Sequence, residues 1–182
     1  MAPAITPFKI GLLMRRRLAT LAPPRGLILY KEWMDVTITQ QPELRIAGIR
    51  HIGPYMEIGR EFGRLGGMLN GAPPKGAQMI AVYYDDPTTT PADQLRADAA
   101  VTLPEKAAAP MGLIERRVPA GKYAKAIHNG GYQGLPAAWG AVREWAKKNG
   151  YSPANPGYEI YLNTPMDTSE SDLRTEIFMK LD

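Results

Sequence analysis

The sequence predicts an α+β fold: a pseudo-twofold duplication of one strand-helix-strand-strand unit. Three observations predict it. A repeat runs through the chain at a spacing of 77 to 78 residues. Short runs alternate with the period of a β-strand between Gly and Pro punctuation. Two amphipathic helical stretches fall at matching places in the repeat.

The repeat is read from four matches in order. "RIAGIRHIGPY" (Arg45 to Tyr55) lies over "KYAKAIHNGGY" (Lys122 to Tyr132), aligning His51 with His128, Gly53 with Gly130 and Tyr55 with Tyr132. Pro42 lies over Pro119. "AVYYDDP" (Ala81 to Pro87) lies over "EIYLNTP" (Glu159 to Pro165), so Tyr83 matches Tyr161. "LRADAAVTL" (Leu95 to Leu103) aligns without a gap on "LRTEIFMKL" (Leu173 to Leu181). Repeat one spans about residues 36–104 and repeat two about 111–182, joined by the Ala- and Pro-rich stretch Pro104 to Pro110.

In the first unit, Leu44 to His51 alternates as a strand and Gly53-Pro54 ends it. A helix follows from about Tyr55 to Leu69, with Ile58, Phe62, Leu65 and Leu69 on one stripe. Its glycines, Gly59, Gly63 and Gly66, weaken it or permit close packing. Strands over Gln78 to Tyr84 and Gln94 to Thr102 complete the unit. The second helix runs from about Leu135 to Lys148, where Leu135, Ala138, Trp139, Val142, Trp145 and Ala146 share an apolar face and Gly150 is the stop. Strands over Tyr158 to Asn163 and Asp172 to Lys180 follow. Neither unit alone buries its surface, so one domain over residues 34–182 is expected.

Composition bounds the function. The 182 residues are 45% hydrophobic and 22% charged, as in an ordinary globular protein. Cysteine is absent, which removes disulfides, thiolate metal sites and a cysteine nucleophile, and fits a cytoplasmic location. No apolar run reaches the roughly 20 residues that span a bilayer, so no membrane role is expected. The net charge of +4 is local: residues 1–33 hold six Lys or Arg against Glu32, a net of +5, and the remaining chain sums to −1. These residues read as a basic N-terminal extension, and the near-neutral body counts against nucleic acid as a partner.

Glu159 is the residue that calls for explanation. In the stretch "NPGYEIYLNTP", strand alternation puts Tyr158, Ile160 and Leu162 on a core face and Glu159, Tyr161 and Asn163 on the other. The repeat acts as an internal control: the mate of Glu159 is Ala81, so the fold builds this strand equally well with a methyl group. A solvated acid with a nearby Lys or Arg is the plain alternative, worth about 0–1 kcal/mol. Against it, Tyr161 shares the face and Tyr83 faces the same way from the other half. A carboxylate among phenols and tryptophan suits a large, flat cation, since aromatic faces add roughly 0.5–2 kcal/mol each. A buried glutamate can also act as a general acid or base, so a hydrolase using Glu159 on a reactive ligand stands beside simple binding.

Together, "RIAGIRHIGPY", "HNGGYQGLPAAWGAVREWAKKNGY", "YEIYLNTP" and "LRTEIFMKL" resemble the GyrI-like family, the effector-binding domain of bacterial transcription regulators. The resemblance covers about Val36 to Asp182. It implies two units packed side by side around a groove for small molecules, an acid at Glu159 that recognises cationic aromatic compounds, and Tyr55, Tyr132, Trp139 and Tyr161 near that groove. Regulators of this kind carry a helix-turn-helix region before the effector domain. The roughly 35 residues before the match here imply a stand-alone member. Such members include gyrase inhibitors, which makes DNA gyrase a conceivable partner, and hydrolases of cyclopropane-bearing compounds.

Other constellations carry less. His51 and His128 end equivalent strands, which points to a shared structural task. With no cysteine and no tight His/Asp/Glu cluster, neither a metal nor a cofactor is expected. "GREFGRLGG" does not fit a phosphate loop, and no G-x-S-x-G surrounds Ser152, Ser169 or Ser171. Asp85-Asp86 reads as turn chemistry.

Overall fold

The computed structural model describes residues 34–71 and 73–182; the basic extension read over residues 1–33 lies outside them. The first unit holds β1 (Thr37–Gln41), β2 (Leu44–Ile52), α1 (Gly59–Met68), β3 (Met79–Tyr83) and β4 (Arg96–Thr102). The second holds β5 (Ile114–Val118), β6 (Gly121–Asn129), α2 (Leu135–Lys148), β7 (Pro153–Tyr161) and β8 (Arg174–Leu181). All eight strands form one antiparallel sheet in the order β1-β6-β8-β7-β3-β4-β2-β5. Read from either edge, this order is the same up to exchange of the two units, as a pseudo-twofold requires.

Each unit gains a leading strand that the hydrophobic pattern does not reveal. β1 pairs with β6 and β5 with β2, so each unit lends its first strand to the edge of the other. Their sequences, "TITQQ" and "IERRV", are polar and largely exposed. Charged, polar edge strands are how sheets avoid further pairing, and this composition hides them from a search for apolar alternation. The match of Pro42 with Pro119 is their trace in the sequence, because each proline follows one of these strands.

Two other boundaries differ from expectation. Helix one is a 3₁₀ turn over Tyr55–Glu57 followed by α1 proper, whereas α2 follows its own 3₁₀ turn and runs over the residues its pattern predicts. Strand β7 starts at Pro153, earlier than its apolar run, with a register shift against β8 between Ala154 and Tyr158. Leu162, expected in the core, is 40% exposed because β7 ends at Tyr161.

Both helices pack on one face of the sheet. Leu65 of α1 lies against Ala47 and Val101, and Ala138, Val142 and Ala146 of α2 lie against Ala124, Ala126, Ile177 and Met179. On the opposite face, Ile46, Ile80, Val82, Tyr123, Tyr158 and Phe178 form a second core. There the buried Asp98 carboxylate accepts from Arg50 Nε at 2.7 Å and from the Tyr84 hydroxyl at 2.6 Å.

The two histidines share the structural task the repeat implied. His51 Nε2 lies 3.0 Å from Pro54 O and His128 Nε2 lies 3.0 Å from Gly131 O, each ring closing the turn from strand to helix. Gly53 (φ 132°) and Gly130 (φ 112°) make these turns in a backbone region that L side chains rarely adopt. The turns deliver Tyr55 and Tyr132 to the mouth of the groove between the helices.

Candidate functional site

The centre of the sheet is the β3–β7 pair, and its register locates the symmetry axis. Ala81 and Glu159 are mates in the repeat and also direct cross-strand partners. Met79 faces Tyr161 and Tyr83 faces Gly157, so exchange of the units maps each of these pairs onto the other. The pseudo-twofold axis therefore passes through the Ala81–Glu159 pair. Two glutamates would collide there as like charges. The frame has room for one acid, and the opposite position takes a methyl group.

The Glu159 side chain points toward the helices and is 1% exposed. The plain alternative of a solvated strand acid fails on this burial. Trp139 Nε1 donates to Oε1 at 2.6 Å, and the hydroxyls of Tyr161 and Tyr83 donate to Oε2 at 2.7 and 2.9 Å. All three donors are uncharged. Burial pushes the Glu159 carboxyl above its ordinary value, against the downward pull of the three donors and of the His128 ring. Burial, followed by the neighbouring carboxylate, drives the Tyr83 and Tyr161 phenols well above the usual range, so both remain neutral donors.

The remaining predicted residues form the walls. Tyr83 packs against Tyr55 at 4.8 Å and against Trp139 at 5.8 Å; Tyr161 packs against Tyr132 and Phe62, both at 5.3 Å. The Tyr55 hydroxyl does not reach the acid. It donates to Asp85 O at 2.9 Å and thereby ties the turn before α1 to the end of β3. Trp139 comes close to the sheet because Gly157 lies beneath it: a Cβ there would sit 2.7 Å from the indole Cη2. Its mate in the other half is Phe62, which offers a ring but no donor.

These groups line a cavity of about 900 Å³ between the helices. The volume falls within the roughly 300–1,000 Å³ of small-molecule sites. All six residues singled out from sequence (Tyr55, Tyr83, Tyr132, Trp139, Glu159 and Tyr161) line it. Sequence reasoning missed Phe62, Met79, Asp86, Arg143 and Met166, which line it as well. Asp86 does make the expected turn, its Oδ1 accepting from Thr88 N at 2.9 Å, but its Oδ2 also accepts from Arg143 Nη1 at 2.7 Å. The repeat contained the signal: Arg143 lies over Gly66 and Asp86 over Thr164, charges present in one half alone, as at Glu159.

Among the described residues, no group of three or more His, Cys, Asp or Glu is placed to hold a metal ion. None of their helices is long and apolar enough to cross a membrane.

Known proteins show the same frame. The EcmrR C-terminal domain superposes with a TM-score of 0.65 at 19% identity, over 82% of this chain and 98% of that one. The structure of SAV2435 bound to tetraphenylphosphonium superposes with a TM-score of 0.59 at 15% identity, over 81% of this chain and 95% of that one. In sequence, DNA gyrase inhibitor 2 of Dickeya dadantii is 32% identical over 157 residues, covering 82% of this chain and 96% of its own length. The description "GyrI-like small molecule binding domain" matches residues 34–182. The duplicated frame is thus that of a small-molecule-binding domain, and the chain belongs to the GyrI-like family.

Proposed function

We propose that this protein captures small lipophilic cations, cationic aromatic compounds above all, in the cavity between its two halves, as an effector-binding or drug- and toxin-sequestering protein. Glu159 is the counter-ion, Tyr83, Tyr161 and Trp139 hold it, and Tyr55 and Tyr132 extend the aromatic wall. One observation carries the reading: a fully buried carboxylate whose hydrogen-bond donors are all neutral. Desolvating an acid is costly unless a positive charge repays it; the three donors are neutral, and with the pull of the His128 ring the carboxyl still stands above its ordinary value. A cation entering the cavity supplies it, and the rings add cation–π attraction. That SAV2435 was solved with tetraphenylphosphonium, a cation of this kind, supports the reading.

The test is a thermal-shift screen of lipophilic cations and matched neutral aromatics on wild type and Glu159→Gln, with mass spectrometry of the hits. Stabilisation by cations that is lost in the variant upholds the proposal. Equal stabilisation of both proteins overturns it. A chemically altered ligand would move the protein to the hydrolases. A second reading, contact with DNA gyrase, is favoured by the name of the Dickeya dadantii relative. It predicts a complex that survives Glu159→Gln. The cytoplasmic location read from the cysteine-free composition belongs to the same proposal.

A further inference from the structure

The two ends of the cavity are built from mated residues and differ in kind. On α2 the lining runs Leu135, Trp139 and Arg143 and goes no further along the helix. At that point Arg143 reaches across to Asp86, in the loop after β3 of the other half, and the ion pair spans the groove, whose lining along β7 continues past Gly157 to Asn155, Ala154 and Pro153. Both side chains are only about a quarter exposed, at 25% and 26%.

Among the described residues, the mated end has no such ion pair. Gly66 stands where Arg143 does, and Thr164 where Asp86 does; both line the cavity, and neither carries a charge. Here the lining continues past Gly66 to Leu69, Gly71 and Pro73. Met79, the mate of Gly157, forms the floor, and Met166, the mate of Thr88, stands 88% exposed at the edge. Methionine adapts its shape to a varied apolar partner. The lining is therefore charged at one end, where the ion pair stands, acidic at its centre, and apolar at the other.

On that polarity, and resting on the cation-binding reading above, we infer that the ligand is an elongated amphiphile. Its aromatic cationic head sits over Glu159, and its apolar arm lies along Gly66, Leu69 and Met79 toward the exposed Met166. The charged Arg143–Asp86 pair makes the other end unfavourable for an apolar arm and so sets the ligand's direction.

The experiment compares two probes with one head, methyltriphenylphosphonium and hexyltriphenylphosphonium, by isothermal titration calorimetry. A buried methylene is worth roughly a fourfold gain in affinity, so partial burial of the arm predicts at least about tenfold tighter binding of the hexyl probe to wild type. Gly66→Arg with Thr164→Asp rebuilds the ion pair at the apolar end. Gly66→Leu fills the same space without charge and serves where the double variant does not fold. A Cβ at Gly66 meets nothing within 4 Å, and any side chain there raises helix propensity over glycine. In either variant the hexyl-to-methyl ratio should fall to within about threefold of one, whereas Arg143→Ala should retain it. A ratio near one in wild type, or a ratio that neither Gly66 variant reduces, overturns the inference and leaves cation binding standing. If neither probe binds wild type, the cation-binding reading falls, and this inference with it.

Discussion

Replacing Glu159 with Gln keeps the shape of the side chain and removes its charge, so it isolates what the carboxylate does for a bound cation. The magnitude follows from Coulomb's law. A cationic centre held about 5 Å from the carboxylate, at the effective dielectric of roughly 20 that suits buried protein sites, gains about 3 kcal/mol. That corresponds to roughly a hundredfold or more in Kd. A neutral aromatic of the same size keeps its packing against Tyr83, Tyr161 and Trp139 and should change by less than about threefold.

Calorimetry is the right assay, because Glu159→Gln also changes the stability of the empty protein. The three donors now face an amide, and its NH₂ group meets a donor where the carboxylate offered a lone pair. An unsatisfied buried donor costs about 1–3 kcal/mol, while losing a buried charge acts in the opposite direction. A melting temperature mixes these effects, whereas Kd for cation and neutral ligand, each against wild type, separates them. Cation affinity unchanged in the variant, or equal losses for both ligands, would refute the counter-ion role.

Three further outcomes are expected. Cation affinity should fall as pH is lowered through the raised Glu159 carboxyl value, with proton release measurable by titration in two buffers. The empty protein should respond in the opposite sense: its folded carboxyl binds protons more readily than the unfolded one, so stability falls as pH rises from about 4.5 through the raised value. Gly157→Ala places a methyl group 2.7 Å from the Trp139 ring and should displace the indole from Glu159. Chemical denaturation should show a loss of about 1–3 kcal/mol, and Trp fluorescence should change with it. Ala81→Glu sets a second acid opposite Glu159 on the axis; thermal melts should show a variant destabilised at neutral pH that recovers as the solution is acidified, because one of the pair must hold a proton.

The parts of this structure that sequence displays are those whose burial leaves a periodic mark. The α2 stripe, from Leu135 to Ala146, with Gly150 as the stop gives both helix limits, and the alternation in Leu44 to His51 gives the core of β2. Strands β1 and β5 leave no such mark, because an edge strand buries little and carries charge against further pairing. The residue types at the site were legible through Glu159 and its two tyrosines. Burial of the acid was not, since alternation assigns a face and does not say what covers it. Trp139 could be placed on its helix but not over the acid, because that contact depends on the glycine beneath it at position 157.

Duplication explains why function here resides in departures from symmetry. A twofold frame brings mated residues to its axis in pairs, and a single ligand that is not itself symmetric cannot use two equal halves equally. At the axis the conflict is electrostatic, and the Glu159–Ala81 pair resolves it. One layer out, Trp139 against Phe62 gives one oxygen of the acid a donor, while Tyr83 and Tyr161, the mates that match, share the other oxygen. At the rim, Arg143 and Asp86 against Gly66 and Thr164 make one end charged and the other uncharged. Residues that agree between the halves, such as His51 with His128, hold the frame. On the proposed reading, residues that disagree while lining the cavity are those that would give a ligand its place and its direction.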